Sequence, residues 1–143
     1  MIQVDSASPP YIVSPGVVEL QVPAELDQLV VVRTVAEAVA ARENLDLDAV
    51  ADVKLAVDEA SACLISRATL GARLDCRFQL LPHALEVVVS TTTATPDVPN
   101  RNSFGWHVLA TLTDTVAVEQ SRVAPGVYGT AIRFTKERAV GGA

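Results

Sequence analysis

Glu59 and Cys63 stand one helical turn apart in the run Leu55-Ala56-Val57-Asp58-Glu59-Ala60-Ser61-Ala62-Cys63-Leu64-Ile65. Val50, Val53, Val57, Ala60 and Leu64 recur at three-and-four spacing, so they define a face that needs a core. Glu59 lies off the centre of that stripe and shares a flank with Leu55 and Cys63. A carboxylate at the rim of a buried helix can act as a general base, because partial desolvation raises its pKa. It can equally be an ordinary solvated charge. Cys63 and Cys76 both sit in apolar surroundings, where a small buried hydrophobe is the default. Whether they pair depends on geometry that sequence leaves open, and a redox-responsive module is a third, weaker reading of the chain. His83 and His107 are far apart, with no carboxylate or cysteine spacing for zinc. No G-x-S-x-G turn marks a serine nucleophile.

Those residues need elements to hold them. Met1 to Gly16 carries Pro9, Pro10 and Pro15 and reads as a loose lead-in. Val17 to Val22 reads as a strand ended by Pro23, and Ala24 to Arg42 as a first helix rich in valine, whose stability must come from packing. Asp46 is a candidate N-cap for the second helix, which runs to about Arg67. Leu74 to Leu81 and Ala84 to Thr91 are two strands around a Pro82-His83 turn; Cys76, Phe78 and Leu80 alternate with Arg77 and Gln79. Thr91 to Asn102 is polar, contains Pro96 and Pro99, and reads as a long exposed loop of the kind used as a lid. Ser103 caps a third helix through Leu112, with Phe104, Val108 and Leu112 expected on its packed face. Thr115 to Glu119 and Val127 to Phe134 finish as a hairpin, and residues 137–143 form a frayed tail after a single domain spanning 17–136.

That order of elements, with its Leu-Ala-Val-Asp-Glu-Ala helix, resembles the bacterial anti-sigma-factor serine kinases of the RsbW type. The resemblance implies an α+β two-layer sandwich, a mixed and mostly antiparallel sheet with helices on one face, as in the Bergerat (GHKL) histidine-kinase-like ATPases. In that family the second helix carries a Glu that activates the attacking hydroxyl and, four residues on, an Asn that holds magnesium. Glu59 matches the first; Cys63 replaces the second, and a neutral thiol is a poor ligand for a hard cation. Where the family has an Asp-x-Gly-x-Gly box for adenine, this chain reads Ser90-Thr91-Thr92-Thr93-Ala94, with Thr91 the residue that could accept one hydrogen bond from adenine. The phosphate turn becomes Ser103-Phe104-Gly105-Trp106: Gly105 survives, while Phe104 stands in place of a cation. The resemblance sets Gly129 and Thr130 behind the phosphates; as bare residues they are a strand with a glycine where something approaches closely. ATP with magnesium is therefore the implied cofactor, with most of its motif residues replaced. No metal site is expected from the residues themselves.

Composition narrows the partners. At 143 residues the chain is one domain by length, half apolar, with six aromatic residues, so valine, leucine and alanine must build the core. A formal net charge of −6 leaves no basic face for nucleic acid. No apolar window long enough to span a bilayer and no signal pattern occur, which reads as a cytoplasmic protein. Leu29-Val30-Val31-Val32 is apolar nearly all round the first helix, more than one core face needs, and such excess marks an interface. The resemblance puts the partner surface on this helix, with Arg33 as a contact residue; by itself an arginine there is a solvated helix-face charge. A sigma factor or a second copy of the chain would both use it. The expected function is an anti-sigma factor that sequesters a sigma subunit and is antagonised by an anti-anti-sigma partner. The alternative is an active ATP-dependent kinase that phosphorylates that partner, with Glu59 as base.

Overall fold

Apolar and charged residues alternate along Leu74, Cys76 and Phe78, and a period of two gives a sheet one dry face. The computed structural model describes residues 16–138, with elements in the order β1 (Val17–Pro23), a 3-10 turn (Leu26–Gln28), α1 (Leu29–Arg42), α2 (Leu47–Ile65), β2 (Arg73–Leu80), β3 (Ala84–Thr93), α3 (Phe104–Leu112), β4 (Thr115–Ala124) and β5 (Val127–Glu137). The strands form one sheet in the order β1-β2-β3-β5-β4, antiparallel at every pairing. The helices cover one face, giving the two-layer α+β sandwich expected. The loose lead-in and most of the tail lie outside the described residues. Glu137 still pairs with Ala84, so β5 runs on beyond the end read from sequence.

The core lies between that sheet face and α2. Val87 stands opposite Phe78 on one side and Phe134 on the other, while Val89 stands between Cys76 and Ile132. All six are buried, together with Val53, Val57, Ala60 and Leu64 from α2. Helix α2 begins where Asp46 accepts a hydrogen bond from Ala49 N at 2.8 Å, the cap expected from its type. It packs between the other two helices. Toward α1, the Arg33 guanidinium meets Asp58 Oδ1 at 3.0 Å and Lys54 faces Glu37. Toward α3, Lys136 Nζ donates to Asp52 Oδ2 at 2.9 Å and to Leu112 O at 3.2 Å, so one ammonium ties α2 to the carbonyl end of α3.

Three expectations change. The Thr-rich stretch is strand: β3 continues to Thr93, with Thr91 and Thr93 buried beneath the helices. The loop therefore starts at Ala94 and is not simply exposed, since Val98 is only 4% exposed and belongs to the core. On α3, Leu112 packs against the core as expected, but Phe104 is 83% exposed, and Leu109 with Trp106 completes the packed face in place of Phe104 and Val108. Strand β4 also runs five residues beyond Glu119, out to Ala124.

Among the described residues one buried side-chain polar atom is unsatisfied. Ser61 Oγ on α2 has no hydrogen-bond partner although the residue is fully buried. A hydroxyl stranded among apolar neighbours costs about 1–3 kcal/mol. Ser61→Ala removes it with almost no change of volume, so the variant is expected to gain roughly 1 kcal/mol, read as a higher urea midpoint at unchanged m.

Candidate functional site

The site is built where α2 meets the start of α3. Ser103 accepts from Trp106 N at 3.2 Å and donates to Asn100 O at 2.6 Å, so one side chain caps α3 and closes the turn before it. Asn100 Oδ1 accepts from Asn102 N at 2.9 Å and holds the other half of that turn. This sets Gly105 directly against Glu59: a Cβ added there would collide with Glu59 Oε2 and come within 3.3 Å of Cδ. Glu59, Cys63 and Gly105 line one small cavity of about 40 Å³, with Pro99, Trp106 and Ile132 closing its walls. The carboxylate therefore rests over the first turn of α3, where the helix dipole favours negative charge.

The remaining residues singled out by the sequence lie apart from Glu59. Thr91 Oγ1 donates to Arg73 O at 2.7 Å, so its proton is committed to the backbone. Thr130 is buried and belongs to a directed chain: Gln120 Nε2 donates to Thr130 Oγ1 at 3.0 Å, Thr130 meets Thr93 Oγ1 at 2.8 Å, and Thr93 donates to Thr95 O at 3.0 Å. Each hydroxyl has one proton, so that order uses both. Gly129 is on the opposite face of the sheet from Glu59, because Thr130 faces the helices and strand neighbours alternate. It lines a separate open trough of about 520 Å³ with Ser90, Ser121 and Ala131. Arg33 is paired with Asp58 at 3.0 Å. Sequence reasoning passed over Asn100 and Val98. It also passed over Arg67, although Arg67 is one turn after Cys63 and was findable by spacing.

The family described as histidine kinase-like ATPase domain matches residues 22–136. The Anti-sigma-F factor RsbW of Mycobacterium tuberculosis, in strains CDC 1551 / Oshkosh and ATCC 25618 / H37Rv alike, is 44% identical over 128 residues, covering 85% of this chain and 74% of that protein. The chain belongs to the RsbW-type anti-sigma factor family. Its five-stranded antiparallel sheet and three helices are those of a histidine-kinase-like ATPase domain.

An RsbW-type domain implies ATP and magnesium, and its residues here do not fit that pair. Magnesium asks for oxygen donors in near-octahedral array. Beside Glu59 the α2 flank offers the Cys63 thiol, which burial and then the Glu59 carboxylate push up, against an opposing pull from Arg67. Among the described residues, no three His, Cys, Asp or Glu side chains converge. The cavity is also the size of roughly one water in the liquid, far short of a triphosphate. Val98 in the core and Pro99 in the cavity wall fill the space with the domain's own loop.

Two outcomes follow for this domain. Gly105→Ala sets a methyl against a movable carboxylate, so Glu59 is expected to swing out while the helix gains up to about 1 kcal/mol of propensity. Net stability should stay within about 1 kcal/mol, with a shift in the emission of Trp106, the sole tryptophan; Glu59→Ala in the same chain should abolish that shift. The second concerns Cys76, whose thiol burial pushes up to about 12 from 9.0, with Asp75 adding to it. Both thiols are free. Below pH 9 the folded and unfolded thiols are both protonated and nothing is lost. Between pH 9 and 12 only the unfolded thiol ionises, so stability falls as pH rises through that window. Urea midpoints at pH 8 and 10.5 should separate more in the native chain than in Cys76→Val.

Proposed function

We propose that the chain sequesters an RNA polymerase sigma factor and yields it when an anti-anti-sigma partner competes for the same surface. The observation that carries this reading is the first turn and a half of the α1 region, where Leu26, Val30 and Val31 are 64%, 57% and 41% exposed. Apolar side chains left in water on one helix end favour burial against a partner. Arg33 lies one turn beyond Val30, half exposed and already oriented by Asp58, so it can border such a contact without being freed from solvent. The partners named in this reading are cytoplasmic, and the reading carries that location with it. A second reading is an ATP-dependent kinase acting on the anti-anti-sigma partner, favoured by the contact between Glu59 and Gly105. The thiol at Cys63 and the filled cavity weigh against it, because metal neutralisation of the phosphates is the main electrostatic part of phosphoryl transfer.

The test is co-purification of the tagged full chain, with the bound polypeptides identified. A sigma subunit recovered in stoichiometric amount is the expected result. Recovery of a second copy alone, or of no sigma subunit, sinks the reading. Radiolabelled Mg-ATP added with the co-purified partners decides the other reading, since label appearing on a partner serine would make the protein a kinase.

A further inference from the structure

The sheet face turned away from the helices is hollow in one place. Asp75, Ser90, Ala131 and Glu119 stand there in one row across β2, β3, β5 and β4, and Gly129 lies between Thr92 and Ser121 in the next. With Arg73 and Asp75 walling one side and Glu119 and Ser121 the other, these small floor residues leave the open trough of about 520 Å³. That volume is within the usual range for small-molecule sites.

Gly129 is the residue that the fold itself does not require. Its backbone is outside the left-handed region, and an added Cβ would meet Val123 Cγ1 at 3.5 Å and Ser121 Oγ at 3.8 Å, which is ordinary contact. At Gly105, by contrast, a Cβ would collide with Glu59. Alanine would therefore fit at 129, and glycine inside a strand weakens it. A strand glycine of this kind marks a place where something comes close to the backbone from outside.

The walls carry charge of both signs. Among the described residues Arg73 makes no ion pair, and Asp75 meets only the side-chain amide of Gln21, which donates to its Oδ1 at 2.6 Å. The two are neighbours on one face of β2, about 7 Å apart along the strand, and do not close on each other. Glu119 is already neutralised by Arg133. A free guanidinium beside a free carboxylate suits a ligand head that bears both signs. The guanidinium fork takes a carboxylate by two parallel bonds, and the carboxylate that Gln21 orients takes an ammonium. A plain anion would be repelled by Asp75, and a plain cation by Arg73.

We propose that the trough binds a free amino acid with a polar side chain, its carboxylate on Arg73, its ammonium on Asp75 and its body flat over Gly129 and Ala131. The hydroxyls of Ser90 and Ser121 are at hand for the side chain. Helix α1 lies on the other face of the sheet, so this site and partner capture stand or fall separately.

Amide shifts of the nitrogen-labelled full chain, followed while L-serine and L-glutamine are titrated separately, test it. At least one of them is expected to bind saturably and to move the amides of Ser90, Gly129 and Ala131. The analogues lacking the ammonium (hydracrylate for serine, glutaramate for glutamine) and those lacking the carboxylate (ethanolamine and γ-aminobutyramide) should bind at least tenfold more weakly. Arg73→Ala and Asp75→Asn should each weaken binding at least tenfold, and Arg77→Ala, on the same face but outside the trough, not at all. Gly129→Ala stands a methyl on the floor, so binding should fall at least tenfold while the urea midpoint holds or rises. Absence of saturable binding by both amino acids overturns the proposal, as does equal affinity for an analogue with a single charge. Undiminished binding in Gly129→Ala would do the same, and so would a native dimer that Gly129→Ala splits, since a second copy would then own this face.

Discussion

Phe134→Ala is expected to remove about 3–5 kcal/mol of stability, a large part of the 5–15 kcal/mol a domain of this kind has. Phe134 is fully buried on β5, opposite Val87 on β3 and Val116 on β4, so three strands close over its ring. The core has few other large side chains to fill the void: among its fully buried members only Phe78 is as big, and the rest are Leu, Ile, Val, Ala and Cys. The neighbours are backbone-paired strand residues that cannot slide inward, which puts the cost toward the upper end of that range. Phe134→Leu should lose less than half as much. Urea unfolding followed by far-UV circular dichroism measures both, and an alanine variant within 1 kcal/mol of the native chain would mean this core is not what holds the sheet to the helices.

Val30→Asp should leave the fold alone and abolish partner capture. Val30 is more than half exposed, so its replacement removes little native packing, and surface changes of this kind stay within about 0.5 kcal/mol. As the second residue of α1, an aspartate there also meets the positive end of the helix dipole. In a docked interface the same carboxylate would be desolvated without a partner, so capture of the sigma subunit should weaken at least a hundredfold, equivalent to about 2.7 kcal/mol. Val32→Asp is the contrasting variant, since Val32 is buried two residues on and its charge should unfold the chain. Native-like capture by Val30→Asp would move the partner surface off α1.

What the residues disclosed in advance, and what they did not, divides along physical lines. Asp46 and Ser103 were recognisable as caps because a short acceptor before an apolar run satisfies amides within its own turn. Glu59 and Gly105 were each singled out by family likeness, but their contact was not, since they are far apart in the chain and no local rule brings them together. Thr92 and Thr93 resembled a loop by composition, yet threonine is β-branched and pairing with Gly129 and Tyr128 draws them into the sheet. Gly129 and Thr130, a pair in the sequence, part company by parity: one residue along a strand is the other side of the sheet. The far half of β4 was missed because Glu119 to Ala124 is wet on both faces, which erases the alternation that marks a strand. Val98 gave no signal, lying alone among prolines and polar residues; its burial is decided by where β3 and α3 leave the loop.

The strand order has a bearing on synthesis. β5 leaves the ribosome after β4 yet is inserted between β4 and β3, so neither neighbour has its proper mate until residue 137 has emerged. Until then β3 offers an open row of amides to any passing extended chain, and Lys136 has not arrived to fasten α3 to α2. A nascent copy is therefore least protected between the emergence of β4 and that of β5, and chains stalled just short of β5 are the ones most in need of a holding chaperone.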